Sequence, residues 1–589
     1  MAASREETRA DRARRAATLW AKHSLELLLV VGGHRYGPVG RPNCFLPVPS
    51  VVVQTGCRRR VAAIIAVVAL LAACGRGGTE APPSAIGTRS ADPTLVNTTS
   101  GTLRGAFAAD HLLFAGVPYA APPVGALRFQ PPAPPLPWQG VHDASKFGPR
   151  CMQETQNDPD FGRAVSEDCL TLNVWTPNRP ATGPLPVMVW IHGGAFINGS
   201  SDIYDARWLA DRGDIIVVTI NYRLGTLGFL AHPSLAPDGR AGNYGLADQQ
   251  AALRWVHDNI ADFGGDPGKV TIAGESAGAM SVCDHLASPG SAGLFRAAII
   301  QSGPCQAQAD LPTAQRVSLD YAASVGCGDP RTAADCLRAL PADKLDSPPF
   351  YYHVGTDGLT GPVTGTPLLP VDPTTAAAQG RVARVPVLIG TTHDEFTLFV
   401  ASQYMKLGRL PDYPAVLTDT FGPAGTQIAV RYPISRYGGN AALAYSAAVT
   451  DGEFACPTDR IAGSLTHAAP VYGYEFNDRS APAPEPLRNV PFPVGASHSL
   501  ELRYLFDIAG APPLDPAQQR LSDEMIGYWA RFVVTGAPQV DGQQPWPALG
   551  SNIADGPRMS LQTPEVHTFT DYDEDHQCAF WVSVPLPPR

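Results

Sequence analysis

From residue 95 onward the chain alternates short, continuous apolar runs with segments of helical period. Pro186–Ile191, Ile215–Asn221, Val270–Ala273, Ala297–Gln301, Val385–Gly390 and Val471–Phe476 each read as a strand. None alternates apolar with polar positions, so both faces of each strand are expected to be buried. Between them, Ala247–Asp262 repeats its apolar positions with helical period. It stops at Phe263-Gly264-Gly265, where glycine can adopt the left-handed conformation that closes a helix. Nearer the start, Gly101–Gly105 and His111–Gly116 read as strand, turn, strand. Buried strands alternating with helices predict an α/β fold, with a mostly parallel central sheet flanked by helices. No internal repeat or second domain is visible, and residues 95–589 are expected to form one domain.

Composition agrees with that picture and adds a boundary. Of 589 residues 44% are hydrophobic, enough for a large core, and the 58 prolines and 57 glycines mark loops between the runs. The first 73 residues carry 11 Lys and Arg against 4 Asp and Glu, whereas the remaining 516 carry 33 against 50. An acidic body of this kind disfavours nucleic acid as a partner. Within the basic stretch, Cys57-Arg58-Arg59-Arg60 precedes the apolar run Val61–Ala73. A basic region, a short apolar run and small residues after it predict a signal peptide over 51–73, too short to span a membrane. Leu71-Ala72-Ala73-Cys74 resembles the lipobox of bacterial lipoproteins, which implies lipidation of Cys74 and a membrane contact made only through that anchor. Export signals normally begin a chain, so residues 1–50 are expected to be an extension outside the fold. Residues 74–94, rich in Gly, Pro, Ser and Thr, are expected to be a flexible tether.

The candidate chemistry centres on Gly274-Glu275-Ser276-Ala277-Gly278, a G-x-S-x-G sequence between a predicted strand and a helix-compatible segment. A serine hydroxyl attacks carbonyls when it is exposed on a sharp turn beside a base. So tight a turn leaves no room for β-carbons two residues either side, which accounts for both glycines. The helix that follows points its N–H groups and positive dipole end toward developing negative charge. Upstream, His192-Gly193-Gly194 follows another predicted strand and matches the glycine loop of esterases and lipases.

Several longer motifs accompany these. They are Phe114–Phe129 (with Gly116-Val117-Pro118-Tyr119 and Ala126-Leu127-Arg128-Phe129), Ser166–Val174, Asn221–Gly225, Gly242–Gln250 and Cys578–Trp581. Together they resemble the type-B carboxylesterases, the cholinesterase-like branch of the α/β-hydrolases, over roughly residues 95–585. The resemblance implies an α/β-hydrolase fold with large insertions over the active site, here Asp310–Val363 and Thr397–Asp451, and hydrolysis of small-molecule carboxylic esters. It further implies Ser276 as nucleophile, His498 as base, and Gly193, Gly194 and Ala277 as oxyanion donors. Glu395 is the expected orienting acid, in the chain order Ser, acid, His. Asp394 beside it is the alternative, and only one of two adjacent carboxylates can face His498. Two departures stand out: Phe396 and Ser499 occupy positions where the family often has glycine. Glu275 is expected to line the pocket and His192 to brace the glycine loop. The implied reaction requires no metal or cofactor. Lipase, polyester or amide hydrolysis on the same machinery is the alternative activity, and a non-catalytic binding protein the alternative class.

Eleven cysteines suit an exported protein. The resemblance implies Cys151–Cys169, Cys327–Cys336 and Cys456–Cys578 as disulfides. Cys283 and Cys305 remain and are expected to be free and buried, their pairing possible but unsupported. The Cys151–Cys169 loop has 17 intervening residues and no tryptophan. It lacks the cation–π platform that a quaternary ammonium needs, which argues against choline esters. Acyl and alcohol preference and oligomeric state are left open.

Overall fold

The computed structural model describes residues 92–154, 163–179, 182–236, 240–409 and 412–585. The expected signal peptide, Cys74 and nearly all of the tether lie outside the described residues. The described residues belong to one compact unit.

Thirteen strands form the main sheet: β1 Leu95–Thr98, β2 Gly101–Phe107, β3 His111–Pro118, β4 Val141–Ala144, β5 Thr171–Pro177, β6 Leu185–Ile191, β7 Ile216–Ile220, β8 Gly265–Glu275, β9 Ala297–Gln301, β10 Val387–Thr392, β11 Val471–Phe476, β12 Arg558–Leu561 and β13 His567–Phe569. Their spatial order is β1-β2-β3-β5-β7-β6-β8-β9-β10-β11-β12-β13, with β4 paired to β2. From β7 to β12 the strands are parallel; an antiparallel meander closes the side of β1 and a single antiparallel strand, β13, the other. The strands β7, β9, β10 and β11 are buried at every position, as is β6 after its first residue. Successive side chains point to opposite faces, so both faces of this central part are covered.

Helix α1, Tyr244–Asn259, runs into a 3-10 turn that Gly264 closes at φ 89°. Helix α2, Ala277–Ala287, packs on β6, β8 and β9, and α3, Pro516–Thr535, packs on β6 and β8. The latter begins with a capping box on Asp515 and Gln518 and ends at left-handed Gly536, which defines both ends of a 20-residue helix. Against the expected bounds, β8 extends back to Gly265 through a register shift before Val270, and β10 lies two residues later than its apolar run.

Among the described residues four disulfides close loops: Cys151–Cys169, Cys283–Cys305, Cys327–Cys336 and Cys456–Cys578. Three are the expected pairs. The fourth corrects the expectation that Cys283 and Cys305 are free thiols. They lie 22 residues apart, but the parallel packing of β8 and β9 brings helix α2 beside the loop after β9, with Cα atoms 5.8 Å apart. Nothing in the local sequence of either cysteine reports that proximity.

Candidate active site

Parallel strands deliver their following loops to one end of the sheet, and every candidate residue sits at that end. The glycine loop follows β6, Ser276 follows β8, Glu395 follows β10, and the segment bearing His498 follows β11. Crevices at the carboxyl ends of parallel strands are where open α/β sheets place their sites.

Ser276 has φ 55° and ψ −124°, a conformation costly for a side chain with a β-carbon. Its N–H donates to the Gln301 carbonyl at 2.9 Å, and its own carbonyl accepts from Met280 at 2.9 Å, opening α2. The flanking glycines are required by contact: a β-carbon at Gly274 would stand 2.5 Å from the Gly278 carbonyl carbon, and one at Gly278 would strike the Ile191 carbonyl. Strand, strained serine and helix therefore pack without intervening side chains.

The loop after β6 turns back on itself through left-handed conformations at Gly194, Ala195 and Phe196, with φ 107°, 55° and 59°. A β-carbon at Gly193 would sit 3.0 Å from the Ser276 Cβ, so this backbone approaches the serine as closely as glycine permits. The N–H groups of Gly193, Gly194 and Ala277 donate to no acceptor among the described residues. His192 stacks on Tyr222, ring centroids 4.4 Å apart, and its Nδ1 lies 2.8 Å from the Gly193 carbonyl. Burial lowers this imidazole to about 4, which keeps it neutral. It braces the loop, as its position in sequence suggests.

Glu395 and His498 meet. His498 Nδ1 lies 2.5 Å from Glu395 Oε2, while Thr392 N–H donates to the other carboxylate oxygen at 2.8 Å. Glu395 is fully buried and His498 nearly so. Asp394 faces the other way: it accepts from Ala496 N–H at 2.9 Å and lies 3.0 Å from His393 Nδ1 and 3.3 Å from Arg479 Nε. Of the two adjacent carboxylates, Glu395 is the one that contacts His498. Ser499, next to the histidine, holds φ 64°, a left-handed conformation that glycine would take without strain.

Besides Glu395 the fold gathers two carboxylates here, Glu275, which the sequence singled out, and Glu501, which it did not. Glu275 Oε1 stands 3.1 Å from His498 Nε2, too poorly aligned for a hydrogen bond. Glu275 is buried in this contact. Glu501, three residues after His498 in a 3-10 turn, accepts from Gln301 Nε2 at 3.2 Å, and Gln301 Oε1 accepts from Trp529 Nε1 at 2.9 Å. The i, i+3 spacing from His498 is the signal by which Glu501 could have been singled out. Burial raises Glu275 to about 7 and Glu501 to about 8. Burial also opposes the charged imidazole of His498, but Glu275, Glu395 and Glu501 outweigh it and raise His498 to about 9. The imidazole packs against Phe399 and Phe454, at 5.2 and 5.6 Å between ring centroids. Phe454 belongs to a π-helical turn, Thr450–Ala455, for which the sequence carries no evident marker.

Comparison with known proteins shows the family of the chain. Residues 92–581 match the model of the carboxylesterase family. The chain is 34% identical over 513 residues to fumonisin B1 esterase of Sphingopyxis macrogoltabida, covering 82% of this chain and 91% of that protein. It is 36% identical over 480 residues to para-nitrobenzyl esterase of Bacillus subtilis (strain 168), covering 77% and 92%. Among solved structures, a thermophilic para-nitrobenzyl esterase superposes with a TM-score of 0.71 at 32% identity, covering 82% of this chain and 99% of that one. The chain belongs to the carboxylesterase family, and is a carboxylic ester hydrolase on the α/β-hydrolase fold.

Proposed function

We propose that the protein is a serine carboxylesterase that works through an acyl-enzyme on Ser276, with His498 as base and Glu395 as its orienting acid. The observation that carries this reading is the buried Glu395–His498 contact at the same end of the sheet as a strained Ser276 and three N–H groups without an acceptor among the described residues. In the proposed reaction His498 Nε2 takes the Ser276 Oγ proton as Oγ bonds to the ester carbonyl carbon. Gly193, Gly194 and Ala277 N–H groups stabilise the oxyanion. The proton then passes to the departing alkoxide, leaving acyl-Ser276 and an alcohol. Water attacks the acyl-enzyme, gives its proton to His498, and the acid leaves as that proton returns to Ser276. Glu395 stays ionised and holds the imidazole with Nδ1–H toward it.

The named substrates of the relatives, fumonisin B1 and para-nitrobenzyl esters, share an ester group and differ elsewhere, so they support the reaction class and not one substrate. The test is hydrolysis of p-nitrophenyl esters from acetate to palmitate by the exported form and its Ser276→Ala variant. Activity that the substitution abolishes is expected; equal rates in both would overturn the assignment, and preference for the longest chains would favour a lipase.

Disulfides at four places suit an extracytoplasmic protein. With the lipobox-like sequence before Cys74, they support an envelope enzyme tethered by lipid at that cysteine. Partition of the exported protein into detergent, lost in Cys74→Ser, is the expected result; equal partition of both would sink the anchor.

A further inference from the structure

We propose that Phe396 is a positioning residue that holds the hairpin Tyr352–Leu359 against the reaction centre and so determines which acyl chains the enzyme accepts. The inference rests on the esterase reading above. The hairpin's two short strands, Tyr352–Val354 and Asp357–Leu359, are joined through Gly355-Thr356. Gly355 has φ 60°, and a β-carbon there would strike the tip of the Phe396 ring. Phe396 therefore presses directly on the turn of the hairpin. Just past its second strand the chain meets the glycine loop: a β-carbon on Gly361 would stand 2.8 Å from the Phe196 ring and 2.5 Å from the hydroxyl of Tyr352 in the first strand. The hairpin thus lies between the loop that carries the proposed oxyanion donors and the loop that carries Glu395.

Phe396 is held from every side that matters to this contact. Its N–H donates to Thr450 Oγ1 at 3.0 Å, its ring stacks on Phe399 at 4.9 Å, and Tyr445 meets it edge-on at 5.7 Å. Phe399 in turn lies against the His498 ring. Thr356 at the hairpin turn accepts from Gln403 Nε2 at 2.7 Å, on the same helical segment, Thr397–Leu407, that carries Phe399. Shrinking the Phe396 side chain leaves space into which the hairpin turn can settle, withdrawing its other end from Phe196. Phe196 belongs to the same loop whose Gly193 backbone approaches Ser276, so room gained there is room that longer acyl groups use and acetate does not.

The test measures kcat/KM for p-nitrophenyl octanoate and acetate with the unmodified protein, Phe396→Gly and Phe396→Leu, alongside thermal unfolding. Phe396→Gly is expected to raise the octanoate-to-acetate ratio by ~10-fold or more, the scale on which pocket shape discriminates apolar chains. Phe396→Leu, which refills most of the volume, is expected to restore the original ratio. A lower unfolding temperature with the ratio unchanged would show Phe396 to be ordinary core and overturn the inference. Should Phe396→Gly fail to fold, Phe396→Val carries the same comparison and the same criterion. Inactivity of the unmodified protein on both esters would instead overturn the esterase reading, and this inference with it.

Discussion

At the scale of single residues, adjacent carboxylates are given opposite work by the backbone that carries them. Glu395 turns inward to His498, and Asp394 turns outward to Ala496, His393 and Arg479. Glu395→Gln removes the charge that stabilises the imidazolium and is expected to lower kcat by about 10³–10⁴. Asp394→Asn leaves the His498 contact in place and is expected to lower kcat by less than about tenfold, through a loosened loop. Steady-state kinetics of the two variants checks the pair, and a reversal of their order would return the acid role to Asp394. The charge around His498 gives a second expectation. Only neutral His498 can take the serine proton, and Glu501 is among the groups that raise its pKa. Glu501→Gln should therefore move the acid limb of the kcat/KM profile to lower pH. A limb that stays or moves upward would show that Glu501 is already neutral where the enzyme works. These particulars divide in their legibility. The G-x-S-x-G context and the chain order of serine, acid and histidine point to their residues from sequence, whereas the direction in which Asp394 and Glu395 face depends on the loop they share.

At the scale of elements, the π-helical turn Thr450–Ala455 links the site to the end of the chain. Thr450 accepts from Phe396 N–H, Phe454 lies on His498, and Asp451 lies 2.6 Å from His576 Nδ1. Such turns push side chains out of the regular helical register, which lets three successive jobs fall on neighbouring residues. His576 is buried between Asp451 and Glu475, with the Tyr572 and His393 rings beside it. Burial opposes its charge, but the two carboxylates prevail and raise it well above its usual value. A raised histidine pKa contributes stability that is complete below about pH 6.5 and is lost as pH rises through the folded value. His576→Ala should cost about 3–5 kcal/mol at neutral pH, because it leaves two buried carboxylates without their cation. It should also remove the part of the alkaline destabilisation that His576 supplies. Urea unfolding of both proteins across alkaline pH checks this, and parallel stability curves would refute it.

At the scale of the molecule, cross-links join elements that the sheet alone does not hold. Cys456–Cys578 spans 122 residues and ties the C-terminal helix to the segment after the π-helical turn; Cys327–Cys336 spans 9. Loop-closure entropy assigns about 5 kcal/mol to the longer link and about 2.6 kcal/mol to the shorter. Replacing each pair by alanine should therefore destabilise the protein unequally, with the Cys456–Cys578 variant worse by about 2 kcal/mol in urea unfolding. Equal losses would mean that the C-terminal segment is held by its packing, with Trp581 against Phe421 and Tyr432, and not by the link.

Much of the central sheet was determined by the sequence alone, because strands buried on both faces must be continuously apolar and leave an unmistakable run. β9 and β11 match their runs residue for residue. The site was legible for a related reason: a serine on a turn this tight demands glycines at fixed spacing, a constraint local to five residues. Strands that are short or mix polar with apolar residues escaped. β5 is entirely buried, yet the run Thr171–Pro177 carries an asparagine and two threonines, and β12 and β13 are too short for a periodic signal. What the tertiary structure alone decided is what depends on distant segments meeting: the Cys283–Cys305 bond, the inward face of Glu395, Glu275 against His498, and Phe396 on Gly355. Each joins residues brought together by strand order in the parallel sheet or by the insertions packed over it, and such long-range packing is a property that no local spacing encodes.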